Sequence, residues 1–448
     1  MWETLGKWGD QYGSIYKIFI LGKVVVIVTD TAHIKQMMQT NAKNYEKDQF
    51  CYSAFDCLLG NGIVLSEGER WHQLRRQLAP TFKLEILGDV GAAAMLVTRK
   101  IFAELDAVAA KEEPVDMAEV FRKATLQVIG SAVLSLTPEE CDANLADLYL
   151  PIIEECNDRS WFPLRQYTPT PAWFRHRNGV RRLNTYIGDK VSARLQRKFA
   201  ADKAGEKFAT NDILDRIVAG IDERECTEQS RIELRDGLKT FLFAGHDTTS
   251  CMLTWTLYYI LAKPDLQQTV FDEAKSVFPH SDSVPRFEQL ASALPHTFNM
   301  LREALRIRPP VPIVARRFKG PDTMGGKVIP GGTTSLILLE AAHKNPALWP
   351  QGDVEEFRPS RFGEAATTSP QTGLGEGIDS WSFLPFINGP RNCLGQHFSL
   401  LESRVILGLL CQRYTFAATP GLSGASHKFR LPVAPIDGLK VFVHRRET

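Results

Sequence analysis

Several common sequence signals are missing from this chain of 448 residues. Lys and Arg (53) nearly balance Asp and Glu (52), so no net charge favours binding to nucleic acid or to an anionic membrane. The eight cysteines include no C-x-x-C pair, and no two histidines stand at the spacing of a zinc site. These absences argue against a disulfide scaffold or a zinc finger. They predict that most of the cysteines pack as small apolar residues in a reducing compartment.

Signals for membrane insertion are also missing. The first residues, MWETLGKWGDQYG, do not show the charged-then-apolar pattern of a signal peptide. The longest apolar run, residues 241–262, is long enough to cross a bilayer, but the polar stretch HDTTS at 246–250 interrupts its centre. Burying those groups in lipid would be costly, so we expect this run to be a helix through a protein interior. The chain as written is expected to be soluble.

The remaining pattern is mainly helical, with 44% hydrophobic residues to build a large core. Residues 14–30 predict two strands joined by a tight turn at 21–23, followed by a helix to about Gln39. Apolar periodicity predicts further helices over about 67–79, 86–111, 117–136, 139–157, 171–203, 212–222, 227–263, 265–278, 294–307 and 396–410. No repeat or low-complexity linker divides the chain. We therefore predict one mainly α domain over residues 1–448, with a small β subdomain built from both ends of the sequence.

A single cysteine near the C-terminus stands in the segment FLPFINGPRNCLGQ, residues 383–396. Cys393 lies just before a predicted apolar helix, whose first N–H groups favour a thiolate. Gly389 and Gly395 allow a tight turn and the close approach of a flat ligand. A lone cysteine is usually a buried core residue.

Four neighbours of this cysteine change that interpretation, because the spacing F-x-x-G-x-R-x-C-x-G gives each fixed residue a separate task. Phe386 is placed to shield the sulfur, and Arg391 is placed to neutralise a carboxylate of the ligand. The segment resembles the haem-binding loop of the haem-thiolate monooxygenases, the cytochrome P450 superfamily. The resemblance implies the cytochrome P450 fold, a haem b cofactor, and Cys393 as the axial thiolate ligand of its iron.

Two further motifs carry the resemblance. Glu303 and Arg306 in EALR, with Arg361 in FRPSRF, match the family's buried charge network beneath the haem; alone, Glu303 and Arg306 would be read as a surface i,i+3 pair. Trp71 and Arg75 in GERWHQLRR match a pair that reaches a haem propionate. The alternative is a core tryptophan and a solvated arginine.

A third propionate contact is implied on a strand near the centre of the chain. In VPIVARR, Arg316 occupies the matching position, and its neighbour Arg317 offers a competing assignment.

The segment FLFAGHDTTS resembles the family's oxygen-activating helix. Small Ala244 and Gly245 leave room for a planar cofactor and dioxygen, and the Thr248 hydroxyl is placed to bond the carbonyl one turn back. The resemblance implies that Asp247 and Thr248 deliver the protons for O–O cleavage. His246 is expected to pack beside this groove without binding iron. Some fatty-acid ω-hydroxylases have a glutamate in place of Ala244 that is esterified to haem, so no covalent attachment beyond the Cys–Fe bond is expected here.

These matches imply a monooxygenase that hydroxylates or epoxidises an apolar substrate. The motifs look closest to the fatty-acid ω-hydroxylase and carotenoid-hydroxylase branches, and a fatty acid, a terpenoid or carotenoid, a sterol and a xenobiotic all remain open. Residues 50–65 and 160–174 are expected to face the substrate. A haem-thiolate isomerase or peroxygenase and a non-catalytic haem sensor are the alternatives, and the intact segment 244–248 favours the monooxygenase.

The resemblance also implies partners. The sequence has no G-x-G-x-x-G segment, so electrons from NADPH should arrive through a separate flavin reductase or a ferredoxin. Its docking face would include Arg75, Arg76 and Lys83, although surface charges are often only solvated. We expect a monomer that binds no nucleic acid. Because the chain starts at the family's first helix, we expect a trimmed domain of a protein associated with the endoplasmic-reticulum or plastid membrane; a naturally soluble protein is the alternative.

Overall fold

The computed structural model describes residues 1–446 except 21, 83, 280–284, 286–289, 291–292, 350–351, 364–377 and 423–430. Helices dominate it, as predicted. They are α1 Trp2–Tyr12, α2 Thr31–Lys35, α3 Gln49–Tyr52, α4 Asp56–Leu59, α5 Gly68–Leu78, α6 Leu84–Ala110, α7 Met117–Leu134, α8 Pro138–Glu140, α9 Asp147–Trp161, α10 Pro171–Ala204, α11 Ile213–Ala219, α12 Glu228–Leu261, α13 Pro264–Val277, α14 Pro295–Ile307, α15 Leu339–His343 and α16 Gln396–Arg413.

The strands are short and lie mostly in two parts of the chain. They are β1 Ile15–Ile20, β2 Lys23–Val28, β3 Tyr45–Glu46, β4 Val115–Asp116, β5 Ile313–Phe318, β6 Asp322–Met324, β7 Lys327–Ile329, β8 Thr334–Leu338, β9 Tyr414–Ala418 and β10 Lys440–Arg445.

The sequence predicted the long helices well and the short ones poorly. Asp30 caps α2 by accepting a hydrogen bond from the His33 N–H, and π-helical residues 36–40 extend that helix as far as predicted. The helix predicted over 139–157 is α8 and α9 joined by a π-helical segment at 141–146, where its hydrogen bonding changes. The helix predicted over 212–222 ends earlier, at Ala219. The short helices α3 and α4 were not predicted, because four residues carry no clear periodicity.

The described chain divides into two compact units, and the division falls inside α12, after Asp247. The first unit contains residues 1–48, 98–121 and 248–448, and the second contains residues 49–97 and 122–247.

The first unit holds the predicted small sheet. Its five strands are ordered β1-β2-β8-β5-β3, with β2 and β8 parallel and the other pairs antiparallel. Three strands from the first 48 residues and two strands from residues 313–338 thus form one sheet, so that widely separated parts of the sequence meet in it, as predicted. A second sheet has the order β4-β10-β9, and β6 pairs with β7. In the helical part of this unit, the Trp255 indole donates to the Val433 carbonyl at 2.8 Å.

The second unit is helical among its described residues. Helix α11 begins at Asp212, whose carboxylate accepts from the Asp215 N–H at 2.7 Å. Arg194 on α10 donates to both buried aspartates and to the Leu134 carbonyl at the end of α7. The Arg194 guanidinium thus binds two carboxylates at the start of α11 and a backbone carbonyl at the end of α7. These contacts hold α7, α10 and α11 together.

Candidate active site

The cysteine loop of the first unit presents its sulfur at a helix start. Cys393 is exposed, and its N–H donates to the Phe386 carbonyl at 2.9 Å. Helix α16 begins at Gln396, with Gly395 as its N-cap residue. Cys393 therefore lies three residues before the first residue of an 18-residue helix, and the positive end of a helix favours a thiolate over a thiol.

The two loop glycines have different roles. Gly389 has φ +81°, and a Cβ there would lie 2.1 Å from the Met38 carbonyl oxygen. A positive φ and a close contact with the chain near α2 therefore require glycine at position 389. At Gly395 a Cβ would meet only the Cys393 sulfur, at 4.0 Å. The space beside the sulfur is open, as a flat cofactor requires.

Three charged residues predicted to form a network meet in the first unit. Glu303 and Arg306 on α14 are fully buried, and the guanidinium donates to both carboxylate oxygens at 2.8 and 2.9 Å. The Arg361 Nε donates to the same carboxylate at 3.2 Å, and so does the Arg358 N–H at 2.9 Å. Such a network is stable in the interior only because every charge is paired and hydrogen-bonded.

His343 on α15 extends this network to the cysteine loop. Its carbonyl accepts from Arg306 at 3.0 Å, and its Nε2 accepts from the Leu384 N–H at 2.7 Å. Burial, and then the charge of Arg306, lowers the pKa of His343 to about 3. His343 is therefore a neutral acceptor that holds the loop. No sequence motif identified it, since its two partners are distant in the chain.

Strand alternation separates the two candidate arginines on β5. Arg316 is buried and donates to the Ala315 carbonyl at 2.8 Å, whereas Arg317 is exposed. Register places Arg316 opposite Ser335 on β8. Of the two arginines, only Arg316 has its side chain on the buried face of the strand.

In the second unit, Trp71 and Arg75 lie one turn apart on α5, where Trp71 is buried and Arg75 is half-buried. Arg76 on the next position is exposed and forms an ion pair with Glu69 at 3.2 Å. Lys83 lies outside the described residues. Trp71 and Arg75, which are expected to contact a propionate, are thus less exposed than Arg76.

Helix α12 has an open position where the sequence predicted it. Ala244 is exposed, although Phe241, Leu242 and His246 around it are buried. At Gly245, the lack of a side chain allows close packing against α7, because a Cβ there would lie 2.8 Å from the Ile129 side chain. Its lack of bulk allows helix packing, and the open position belongs to Ala244.

The polar groups of α12 near this position are held in place. Burial lowers the pKa of His246, whose Nδ1 contacts the Leu242 carbonyl at 2.8 Å, so it packs as a neutral histidine as expected. Its carbonyl accepts from the Thr125 hydroxyl of α7 at 2.9 Å. Thr125 was missed by the sequence analysis, because nothing local distinguishes it from other helical threonines. Asp247 and Thr248 are both half-buried.

Comparison with known proteins decides the family. A family model described as Cytochrome P450 matches residues 1–428. The chain belongs to the cytochrome P450 family. Cytochrome P450 4F3 of Homo sapiens is 30% identical over 87% of this chain and 75% of its own length.

Two plant proteins are similar over most of the chain. Protein LUTEIN DEFICIENT 5, chloroplastic, of Arabidopsis thaliana is 27% identical over 97% of this chain and 72% of its own length. Cytokinin hydroxylase of Arabidopsis thaliana is 27% identical over 92% of this chain and 77% of its own length.

As a P450, the protein is a haem-thiolate monooxygenase with the fold that the motifs predicted. Membership implies a haem cofactor, an organic substrate, dioxygen and a redox partner. Among the helices that the structure describes, none combines the length and apolar character needed to cross a bilayer.

Proposed function

We propose that this P450 inserts one oxygen atom of dioxygen into an apolar substrate, with Cys393 as the thiolate ligand of haem iron. The observation that carries the proposal is the placement of Cys393: an exposed sulfur before the first turn of α16, with open space at Gly395. A structural cysteine has no need of either feature. The bound haem would supply the activation of dioxygen, assisted by electron donation from the thiolate.

Four residues of the cysteine loop and of β5 are proposed to hold the haem. In the first unit, Gly395 leaves space for the porphyrin, Phe386 shields the sulfur, and Arg316 and Arg391 pair with propionates. The burial of Arg316 supports its assignment, since a buried guanidinium is stable only with strong acceptors.

In the second unit, Trp71 and Arg75 are proposed as further propionate contacts, and Ala244 as the position where α12 leaves room for the cofactor. The exposure of Ala244 beside buried Phe241, Leu242 and His246 supports that role. The Glu303, Arg306 and Arg361 network is proposed to keep the cysteine loop in position through His343.

Asp247 and Thr248 are proposed to deliver the protons that oxygen reduction consumes. Both are half-buried on a mainly buried helix, so each combines a protected position with access to solvent protons. Threonines elsewhere on α12 bond their own helix: Thr240 donates to the Asp236 carbonyl and Thr254 to the Ser250 carbonyl. Such bonding gives a hydroxyl a fixed position on a helix.

The proposed substrate is apolar. Large hydrophobic side chains are exposed in the two segments expected to face it, 50–65 and 160–174: Phe50, Trp161, Phe162, Leu164, Tyr167 and Phe174. Clustered exposed apolar residues indicate a binding surface more often than a defect of packing. A fatty acid, a terpenoid or carotenoid, and a sterol fit this chemistry. The electrons are proposed to come from NADPH through a separate flavin reductase or a ferredoxin.

The decisive experiment uses carbon monoxide on the reduced, haem-loaded protein. Thiolate ligation should give a strongly red-shifted Soret band, and Cys393→Ser should lose it. Cys51→Ser is the matched control, because Cys51 is also exposed and should keep the band. An unshifted band in the native protein, as imidazole ligation gives, would contradict the proposal. A panel of lipids and terpenoids, scored by substrate-induced spin shift, then tests the substrate class.

The proton-delivery roles are tested by coupling. Thr248→Ala should keep the shifted band and divert electrons to hydrogen peroxide, and Thr254→Ala on the same helix should leave coupling unchanged. If Thr248→Ala forms product with full coupling, the assignment of Thr248 is wrong. If the native enzyme works with peroxide alone and gains nothing from dioxygen and a reductase, the peroxygenase alternative replaces the monooxygenase.

A further inference from the structure

Two cysteines and a histidine meet in the second unit. Cys57 lies on α4, Cys156 on α9 and His176 on α10. Their two sulfurs and a ring nitrogen all lie within 4.8 Å of one another, and the Cys57 Sγ is 3.0 Å from the His176 Nε2. Cys156 and His176 are buried, and Cys57 is exposed. The three residues are far apart in the sequence, so no short sequence motif predicts this cluster.

The three donors are those that zinc prefers. Zn²⁺ binds thiolate sulfur at about 2.3 Å and imidazole nitrogen at about 2.0 Å in tetrahedral geometry, which separates sulfur from nitrogen by about 3.5 Å. The Cys57 and His176 atoms would have to separate by roughly 0.5 Å to reach that geometry. Cys57 is exposed on a four-residue helix, so a shift of this size is within its reach.

The surroundings suit a dication bound by two thiolates. Arg159 pairs with Glu155 at 3.1 Å, and Arg165 pairs with Glu155 at 2.6 Å and with Asp158 at 3.6 Å. The two cations and two anions balance, so these neighbours add no net charge that would repel a metal ion. A zinc ion with two thiolates and a neutral imidazole would itself be neutral, as burial requires.

The histidine is oriented toward the cluster. His176 is 5% exposed, and its Nδ1 has no hydrogen-bond partner among the residues that the structure describes. The ring is therefore held by its Nε2 contact with Cys57 rather than by a bond on its other side. Nε2 is therefore the ring nitrogen on the side of the cluster, and in the neutral tautomer with the proton on Nδ1 it has the lone pair that can bind a metal ion.

We propose that Cys57, Cys156 and His176 bind one Zn²⁺ ion, with the fourth position open to water on the exposed side of Cys57. The ion would cross-link α4, α9 and α10, which are distant in sequence. The proposal does not rest on haem ligation by Cys393 or on the proposed monooxygenase reaction, so its test stands apart from theirs.

The test measures zinc on the haem-loaded protein under thiol-reducing conditions. After equilibration with chelator-buffered Zn²⁺, elemental analysis should find one zinc per haem iron, and absorption at the zinc edge should show two sulfur ligands and one imidazole nitrogen. Cys57→Ala should weaken zinc binding at least tenfold; Cys57 is exposed, and an unchanged haem content and thermal unfolding curve would show that the variant is folded. Cys51→Ala, on the neighbouring α3, should bind zinc as the native protein does. Equal zinc binding by Cys57→Ala, or a shell of oxygen ligands alone, would overturn the proposal.

A second measurement separates a zinc site from a simple hydrogen-bonded cluster. Bound zinc should slow alkylation of Cys57 at least tenfold without protecting Cys51, and Cys156→Ala should abolish that protection. If zinc leaves the alkylation rate of Cys57 unchanged, or if a Cys57–Cys156 disulfide persists under the thiol-reducing conditions, the proposed site does not exist.

Discussion

The Thr249 hydroxyl of α12 lies 3.0 Å from the Ser399 hydroxyl of α16. Thr249 is the neighbour of the proposed proton-delivery residue Thr248, and Ser399 lies in the first turns of the helix that follows Cys393. A single hydrogen bond within the first unit thus joins the helix of the proposed oxygen chemistry to the helix behind the proposed thiolate.

This bond is expected to contribute about 1 kcal/mol to the free energy of unfolding. Thr249→Val and Ser399→Ala should each lower the free energy of unfolding. The loss in the double variant should be smaller than the sum of the two single losses by about 1 kcal/mol. Urea unfolding of the native protein and the three variants measures the coupling. Strictly additive losses would show that the two hydroxyls are not bonded.

Removing the central carboxylate of the buried network should be costly. Glu303→Gln leaves Arg306 and Arg361 buried without their counter-charge, and we expect a loss of about 3–5 kcal/mol with reduced haem content. The control is Glu69→Gln, which breaks the exposed pair with Arg76 and should cost no more than about 1 kcal/mol. Denaturation and the haem-to-protein ratio test both variants; equal losses would contradict the structural role of burial.

The low pKa of His343 predicts a loss of stability in mild acid. The unfolded chain takes up a proton below its ordinary pKa near 6.5, whereas the folded histidine resists protonation until about pH 3. The unfolded state therefore binds more protons between about pH 6.5 and pH 3. The free energy of unfolding decreases as the pH is lowered through this range, and at pH 5 it should be about 2 kcal/mol lower than at pH 7.

His343→Gln keeps an acceptor near the Leu384 N–H but cannot titrate. Between pH 7 and pH 5, the free energy of unfolding of this variant should decrease by about 2 kcal/mol less than that of the native protein. Parallel stability curves for the native protein and His343→Gln would contradict the assigned pKa shift.

The contact between Gly245 and Ile129 predicts a compensating pair. Gly245→Ala places a methyl group 2.8 Å from Ile129 atoms, and Ile129→Ala leaves a cavity that this methyl group can partly fill. The double variant should therefore be more stable than additivity predicts by about 1–2 kcal/mol.

The control for this pair is Gly237→Ala on the same helix. A Cβ there meets nothing within 4 Å, so the better helix propensity of alanine should raise stability, by about 1 kcal/mol at most. A gain of the same size from Gly245→Ala alone would show that α7 does not constrain this turn. Thermal or urea unfolding measures all four variants.

The sequence by itself determined the long helices, the paired strands and the position of Cys393 before a helix. Each of these depends on residues that are close in the chain: a buried helical face repeats every three or four residues, and the whole cysteine motif spans residues 386–395. The two four-residue helices were missed, because such lengths hold too little of any period.

Only the tertiary structure decided which residues from distant segments meet. It distinguished buried Arg316 from exposed Arg317, because strand register sets which side chains face inward. It placed His343 between the charge network and the cysteine loop, and it assembled Cys57, Cys156 and His176 from three helices. Such contacts depend on how helices and strands pack, and local sequence specifies the elements but not their packed partners.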